Sequence, residues 1–389
     1  MTETVVQAVD FVARDDLHRL MVFRNNLREV EETTSFPQKE GKEEENALSR
    51  PIADATHSLT EISFYVVEVE TENGEKGQGY LLSFHYSPHA ISGALKDIRP
   101  LVLGLEPHET GVLAKRAAAE HEYFGCEGLQ KWALAAANVA MWDCRGRMLG
   151  VPVWKLLGST VSRVPVYGSG GWLSYTIEEL LDEVTEYRRR GFSAVKIKVG
   201  GGLERDLERL RKVREAVGPG LKIMMDANQG MNLQDALALS RKAEELDIFW
   251  FEEPIDHRDY EGYAVLRSRT SISLAMGERE YDTQALKALI ERRGIDLWQP
   301  DLIRIGGVEE WRNTAALAGA YSVPVLPHYY KDYDVPLLCT IPNGVGAESF
   351  DWIDGIIDNT MRIEDGFAYP RTAPGWGFTF RRESLTPLE

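Results

Sequence analysis

Two runs of alternating β-branched and aromatic residues, Ile62–Glu70 and Lys76–Leu82, are joined through Asn73-Gly74, a pair that readily supplies the positive φ of a hairpin turn, so an antiparallel sheet is expected here. Ahead of them, Arg24–Arg50 shifts to Glu, Lys, Thr and Ser with a charge run at Lys42–Glu45. That stretch is too polar to bury and is expected as an exposed, mobile loop, either a solvated linker or a lid that closes over a site. Ala133, Ala136, Ala137, Ala140, Met141 and Cys144 then recur at helical spacing, and Gly150-Val151-Pro152 punctuates the helix end.

From Val164 the pattern becomes regular. Short apolar runs at Val164–Tyr167, Ala194–Lys198, Ile223–Asp226, Phe249–Glu252, Leu274–Glu278, Leu297–Asp301, Val323–His328 and Val345–Phe350 alternate with amphipathic segments, giving eight strands and seven connections. Thr176-x-x-Glu179 is a capping box, Asn232 and Asp235 flank another helix start, and Gly218-Pro219 ends the helix Arg205–Val217. Strands alternating with helices mean right-handed βαβ units and a parallel sheet, and eight of them close most economically into a TIM-type barrel. An open doubly wound sheet is the alternative, but no Gly-x-Gly-x-x-Gly follows the first strand. Gly168-Ser169-Gly170-Gly171 reads as a tight strand-to-helix turn.

Composition narrows the partners. Among 389 residues, 44 Lys and Arg face 61 Asp and Glu, a net charge of −17, which argues against nucleic acid or an anionic membrane as the main partner. With 43% hydrophobic residues the chain has ample core, and its length suggests more than one domain. The most apolar helical stretch, Trp132–Trp142, is too short to span a bilayer. Glu3, Asp10, Asp15 and Asp16 stand where a secretory signal would need a basic and then an apolar run, so a cytoplasmic protein is expected. Cys126, Cys144 and Cys339 are odd in number and have no CxxC spacing; they read as buried free thiols.

The residues closing the second to eighth strands fall at 198, 226, 252, 278, 301, 328 and 348, in steps of 28, 26, 26, 23, 27 and 20. Each step is one βα unit, so all converge on the carboxyl-end mouth of a barrel. Asp226, Glu252 and Glu278 end three consecutive strands, and three unpaired carboxylates would repel strongly in a partly dry pocket. A hard divalent cation resolves the repulsion, and an all-oxygen set with room for water and substrate suits Mg²⁺ better than zinc. Lys196 and Lys198 lie two apart on one strand and share a face; their mutual repulsion is expected to lower both pKa values toward that of a usable general base. Asp301 and His328 close adjacent strands, so the carboxylate can hold one imidazole nitrogen while the other faces the pocket.

This order of Lys-x-Lys, Asp, Glu, Glu, Asp and His on successive strand ends, between about Trp142 and Trp352, resembles the mandelate racemase subgroup of the enolase superfamily. The resemblance implies a (β/α)7β TIM-type barrel with an α+β capping domain: residues 1–125 would form the cap with a mobile loop at about 24–50, residues 126–352 the barrel, and residues 353–389 a segment returning to the cap. It implies that Asp226, Glu252 and Glu278 bind Mg²⁺, and that Lys198 and the Asp301–His328 dyad are the acid/base groups. Lys196 would contact the substrate carboxylate and tune Lys198, Asn228 would touch substrate, and Glu348 would donate a proton to that carboxylate. The expected activity is dehydration of an acid sugar, an aldonate or aldarate, to a 2-keto-3-deoxy acid. Racemisation or epimerisation of a 2-hydroxy acid on the same Lys and His bases is the alternative. A barrel that only binds a small acid is disfavoured by the complete set, and a zinc hydrolase by the lack of a His-x-His strand end. The expected partners are a small carboxylate substrate and further copies of the chain. Arg50, His57, His85 and Tyr86 of the cap are candidate pocket walls.

Overall fold

The structure, a computed structural model, describes residues 16–27, 51–59, 62–84 and 86–388. Strand β1 (Leu17–Leu27) comes first, followed by a small hairpin of β2 (Ile52–Ala53) and β3 (Ser58–Leu59). Strands β4 (Ile62–Thr71) and β5 (Lys76–Phe84) form the expected hairpin, with Gly74 at φ 87° in its turn. Arg24–Leu27, placed in the exposed loop by their polar neighbours, complete β1 instead and pair with Tyr65–Ile62 of β4. The rest of that segment lies outside the described residues.

Helices α1 (Pro88–Val102), α2 (Thr110–Glu120) and α3 (Leu129–Met148) follow, and α3 packs directly on β5. The approach depends on two glycines: a Cβ on Gly77 would lie 2.2 Å from the Ala140 carbonyl oxygen, and one on Gly79 2.4 Å from that of Ala136. Both obstacles are helix backbone and cannot swing aside. Gly79→Ala is therefore expected to lower the unfolding free energy by about 1–3 kcal/mol, as overpacking does, and an unchanged urea midpoint would contradict this packing.

After the short α4 (Val153–Leu156), strands and helices alternate: β6 (Val164–Gly170), α5 (Ile177–Arg189), β7 (Ala194–Lys198), α6 (Leu203–Val217), β8 (Lys222–Asp226), α7 (Leu233–Ala243), β9 (Ile248–Glu252), α8 (Tyr260–Arg267), β10 (Ser273–Met276), α9 (Thr283–Glu291), β11 (Leu297–Trp298), α10 (Val308–Ala320), α11 (Lys331–Leu338) and β12 (Ala347–Ser349). Neighbours from β6 to β11 pair in parallel, and β12 pairs in parallel with β6, so the sheet closes as a (β/α)7β barrel. The fifth, sixth and seventh staves of the barrel are shorter than expected. Val323–His328 holds only bridges at Val325, to Trp298 and Gly344, because Pro324 and Pro327 remove two ladder donors. Likewise β11 stops at Trp298 ahead of Pro300, and β10 stops at Met276 ahead of Gly277 at φ 143°, so Asp301 and Glu278 sit just beyond their strands.

The local signals hold. Thr176 and Glu179 form the reciprocal capping box of α5, Asn232 caps α7 by accepting from the Asp235 amide, and Gly218 at φ 71° follows α6. Inside the barrel, Tyr167, Ala194, Met224, Trp250, Ala275, Leu297 and Leu326 make one apolar cluster, a residue from each of seven successive staves. It plugs the barrel, so the chemistry can only sit at the mouth. The chain ends with the hairpin β13 (Arg362–Glu364) and β14 (Phe367–Tyr369) beside β6, then β15 (Thr386–Pro387), which pairs with β1. Among the described residues no helix is long and apolar enough to cross a membrane. All three cysteines are free, but Cys126 is only half-buried, in contrast to Cys144 and Cys339.

Candidate active site

The strand ends bring together Lys196, Lys198, Asp226, Asn228, Glu252 and Glu348 on one side of the mouth and Glu278, Asp301 and His328 on the other. Lys196 and Lys198 point from β7 into the mouth, with side chains 1% and 7% exposed, and the side chains of Asp226, Glu252 and Glu348 are each 1% exposed. Lys196 Nζ lies 2.6 Å from Glu252 Oε1, 2.7 Å from Glu348 Oε1 and 3.7 Å from Asp226 Oδ2; Lys198 Nζ lies 2.6 Å from the same Asp226 oxygen. Across the mouth, His328 Nδ1 is 2.8 Å from Asp301 Oδ2 and Nε2 is 3.2 Å from Glu278 Oε2. Asn228 is buried beside Asp226, whose Oδ1 accepts the Asn228 backbone amide, and its own Oδ1 has no hydrogen-bond partner among the described residues.

The electrostatics correct one expectation. Burial, followed by their mutual repulsion in the case of Lys198, presses on both lysines. The carboxylates outweigh it: Glu252 and Glu348 hold Lys196 well above the usual lysine value, and Asp226 with Asp54 raises Lys198. Both are ammonium ions in this arrangement. Burial, then Asp226 and Glu348, push Glu252 up to about 7 against the pull of Lys196, and burial with Glu278 pushes Glu253 to about 8. Glu278 is held well below the carboxylate range despite burial, by His328, Arg279 and Arg304, and His328 in turn is raised despite burial by Glu278 and Asp301. Glu348 falls to about 2 despite burial, chiefly through Lys196, and it accepts the Tyr329 amide at 2.9 Å. As placed here it is a carboxylate, not a proton donor.

Among the described residues no three His, Cys, Asp or Glu side chains stand around one point so as to hold an ion. The reason is visible in the contacts: ammonium and imidazole groups occupy the faces the carboxylates would turn to a metal. The donor chemistry nevertheless fits a hard cation. Three buried oxygen-donor acids come from adjacent staves, and the ammonium of Lys196 bridges two of them where positive charge is demanded.

Several supporting residues have no signal in strand-end spacing. Gln299 Nε2 donates to Glu252 Oε2 at 2.7 Å and Trp250 Nε1 to the same oxygen at 3.2 Å, which leaves Oε1 to the Lys196 ammonium. Arg279 Nε donates to Glu253 Oε2 at 2.9 Å. The backbone is left-handed just after the functional residues, at Asn228 (φ 41°), Glu253 (φ 35°) and Tyr329 (φ 66°), a strain that persists where a site over-determines it.

From the cap, the β2–β3 hairpin docks over the ends of β6, β7 and β8. Leu173 donates its amide to the Ala53 carbonyl at 2.7 Å, and a Cβ on Gly230 would lie 2.3 Å from the Ala55 methyl. This brings Asp54 within electrostatic reach of Lys198. His57 is tied to Asp54 at 3.2 Å and meets Tyr86 edge-on, whereas Arg50 and His85 lie outside the described residues. Trp172 stacks on Trp352 at 6.3 Å, and Lys198 Nζ sits 5.3 Å from its ring centre.

Residues 179–384 match the family described as Enolase C-terminal domain-like, and residues 42–158 match the Mandelate racemase / muconate lactonizing enzyme, N-terminal domain. The chain is 28% identical over 345 residues to an L-talarate/galactarate dehydratase of Salmonella typhimurium, covering 87% of each chain. It is 30% identical over 290 residues to a D-galactarolactone cycloisomerase of Agrobacterium fabrum, covering 74% of this chain and 76% of that one. The solved structure of the Salmonella typhimurium dehydratase liganded with Mg and L-lyxarohydroxamate superposes with a TM-score of 0.87 at 25% identity, covering all of this chain and 98% of that one.

Proposed function

Because the chain belongs to the enolase superfamily, in its mandelate racemase subgroup, we propose that it is a Mg²⁺-dependent dehydratase of an acid sugar, an aldonate or aldarate. The observation that carries this reading is the placement of two acid/base systems on either side of three buried carboxylates: Lys196 and Lys198 on one side, the Asp301–His328 dyad on the other. Asp226, Glu252 and Glu278 hold the metal, which, when bound, supplies Lewis-acid stabilisation of the negative charge that grows on the substrate carboxylate.

The chain's own groups do the rest. Lys196 turns from Glu348 and Glu252 to the incoming carboxylate, and Asn228 offers its free Oδ1 to a substrate hydroxyl. Without Lys196 the buried Glu348 is pushed up toward its protonated form and can donate to a carboxylate oxygen. One of Lys198 and His328 takes the α proton; the opposite group gives a proton to the β-hydroxyl, which leaves as water with the C–O electron pair. Asp301 keeps the imidazole oriented for that exchange. The enol that remains tautomerises to the 2-keto-3-deoxy acid. An epimerase would use the same two groups but return the proton to the opposite face.

A panel of aldonates and aldarates, assayed for 2-keto acid with Mg²⁺ and with excess chelator, tests the reading. At least one acid sugar is expected to give keto acid only when Mg²⁺ is present. Turnover undiminished in chelator, or no keto acid from any member, would overturn it.

A further inference from the structure

Arg304 lies in the connection between β11 and α10, three residues beyond Asp301, and its guanidinium is held on three sides. Nη1 donates to the Glu278 backbone carbonyl at 2.9 Å and lies 3.4 Å from Glu278 Oε1. Nε lies 4.0 Å from Asp301 Oδ2, and the guanidinium carbon sits 5.5 Å from the Trp132 ring centre on α3. His328 closes the figure, with Nδ1 on Asp301 Oδ2 and Nε2 on Glu278 Oε2. Glu278, His328, Asp301 and Arg304 thus make a ring of alternating acidic and basic groups drawn from three neighbouring staves.

Within that ring the freedom of each carboxylate is spent differently. Asp301 Oδ1 accepts the backbone amides of Ile303 and Arg304, both at 2.9 Å, so the carboxylate cannot rotate and Oδ2 is left to the imidazole. Glu278 lies beyond the end of β10, where no ladder hydrogen bond fixes its backbone carbonyl; Arg304 supplies that anchor. A planar guanidinium presents its donors at fixed angles, so one residue can hold two acceptors at a set separation, which a lysine cannot. An ordinary surface ion pair would need neither the backbone carbonyl nor the aromatic face behind it.

We propose that Arg304 is a positioning residue that locks the third metal-binding carboxylate and the His–Asp dyad into one unit, with Trp132 bracing it from α3. The inference rests on the assignment of Glu278 to the metal, and its test separates the two.

The test is calorimetric titration of Mg²⁺ into the full chain, wild type beside R304A and R304K, with steady-state kinetics at saturating Mg²⁺. R304A should bind Mg²⁺ about 10–100-fold more weakly, as loss of a group that orients a metal ligand does. Its kcat should fall at saturating metal while KM for the acid sugar stays close to wild type, and added guanidinium ion should recover part of the kcat. R304K should fall between the two. A folded R304A with wild-type Mg²⁺ affinity and kcat would overturn the proposal; if R304A does not fold, wild-type affinity and kcat in R304K overturn it equally. Wild type that binds no Mg²⁺ would instead sink the metal assignment itself, and this inference with it.

Discussion

Lys198→Ala and His328→Ala should each lower turnover of the acid sugar by about 10²–10⁴-fold, the range supplied by a positioned proton-transfer group. The two variants should differ in what they still do. The one that keeps the α-proton base exchanges the α hydrogen with deuterated solvent without forming product, provided that base equilibrates with solvent. The other does neither. The geometry favours this division because the two groups belong to separate networks: Lys198 is held by Asp226, and His328 by Asp301 and Glu278. Removing one leaves the partners of the other in place. Exchange is read by proton NMR of recovered substrate, and full turnover in either variant would contradict the assignment of that residue.

Glu252→Gln should abolish Mg²⁺-dependent turnover, with a loss exceeding about 100-fold, since even partners behind a metal ligand are worth 10–100-fold. It should do so in a folded protein. Burial first, then the neighbouring carboxylates, already push Glu252 to about 7, so a neutral isostere relieves repulsion in the cluster. A glutamine oxygen can still accept from Gln299 and Trp250, which keeps the side chain in place, while its amide nitrogen takes the Oε1 position and gives up the contact with the Lys196 ammonium, which Glu348 still holds. Circular dichroism should match wild type and thermal unfolding should stay cooperative, while Mg²⁺ titration shows weakened binding. Undiminished activity in this variant would remove Glu252 from the metal set.

The strand ends were legible because barrel topology turns a one-dimensional spacing into a ring: residues about 26 apart need no further information to meet at one mouth. Asp226, Glu252, Glu278, Asp301, His328 and Glu348 were all found this way, although two of the staves carrying them are barely strands. Pro300, Pro324 and Pro327 break the ladder at β11 and the seventh stave without moving the chain off the ring, so the apolar pattern overstated hydrogen bonding while placing the residues correctly.

What pattern could not supply is contact between side chains on different elements. Arg304 with Glu278, Gln299 with Glu252 and Asp54 with Lys198 depend on where loops fold back, and nothing in their spacing marks them. The protonation of the lysines is out of reach of spacing for the same reason. Two neighbouring ammonium groups repel, but the pocket surrounds them with more carboxylate than their mutual repulsion can offset. Only when Asp226 and Glu252 are engaged by another cation can that repulsion act on Lys198 as the sequence suggested.

The most direct measurement is the fate of solvent deuterium in the wild-type reaction. With Mg²⁺ in deuterated water, the account predicts a 2-keto-3-deoxy acid carrying one deuterium at C3, seen as a one-unit mass increase, as the enol is protonated from solvent. Recovery across the acid-sugar panel of only a labelled 2-hydroxy epimer, with no keto acid, would contradict dehydration and assign the same residues to epimerisation.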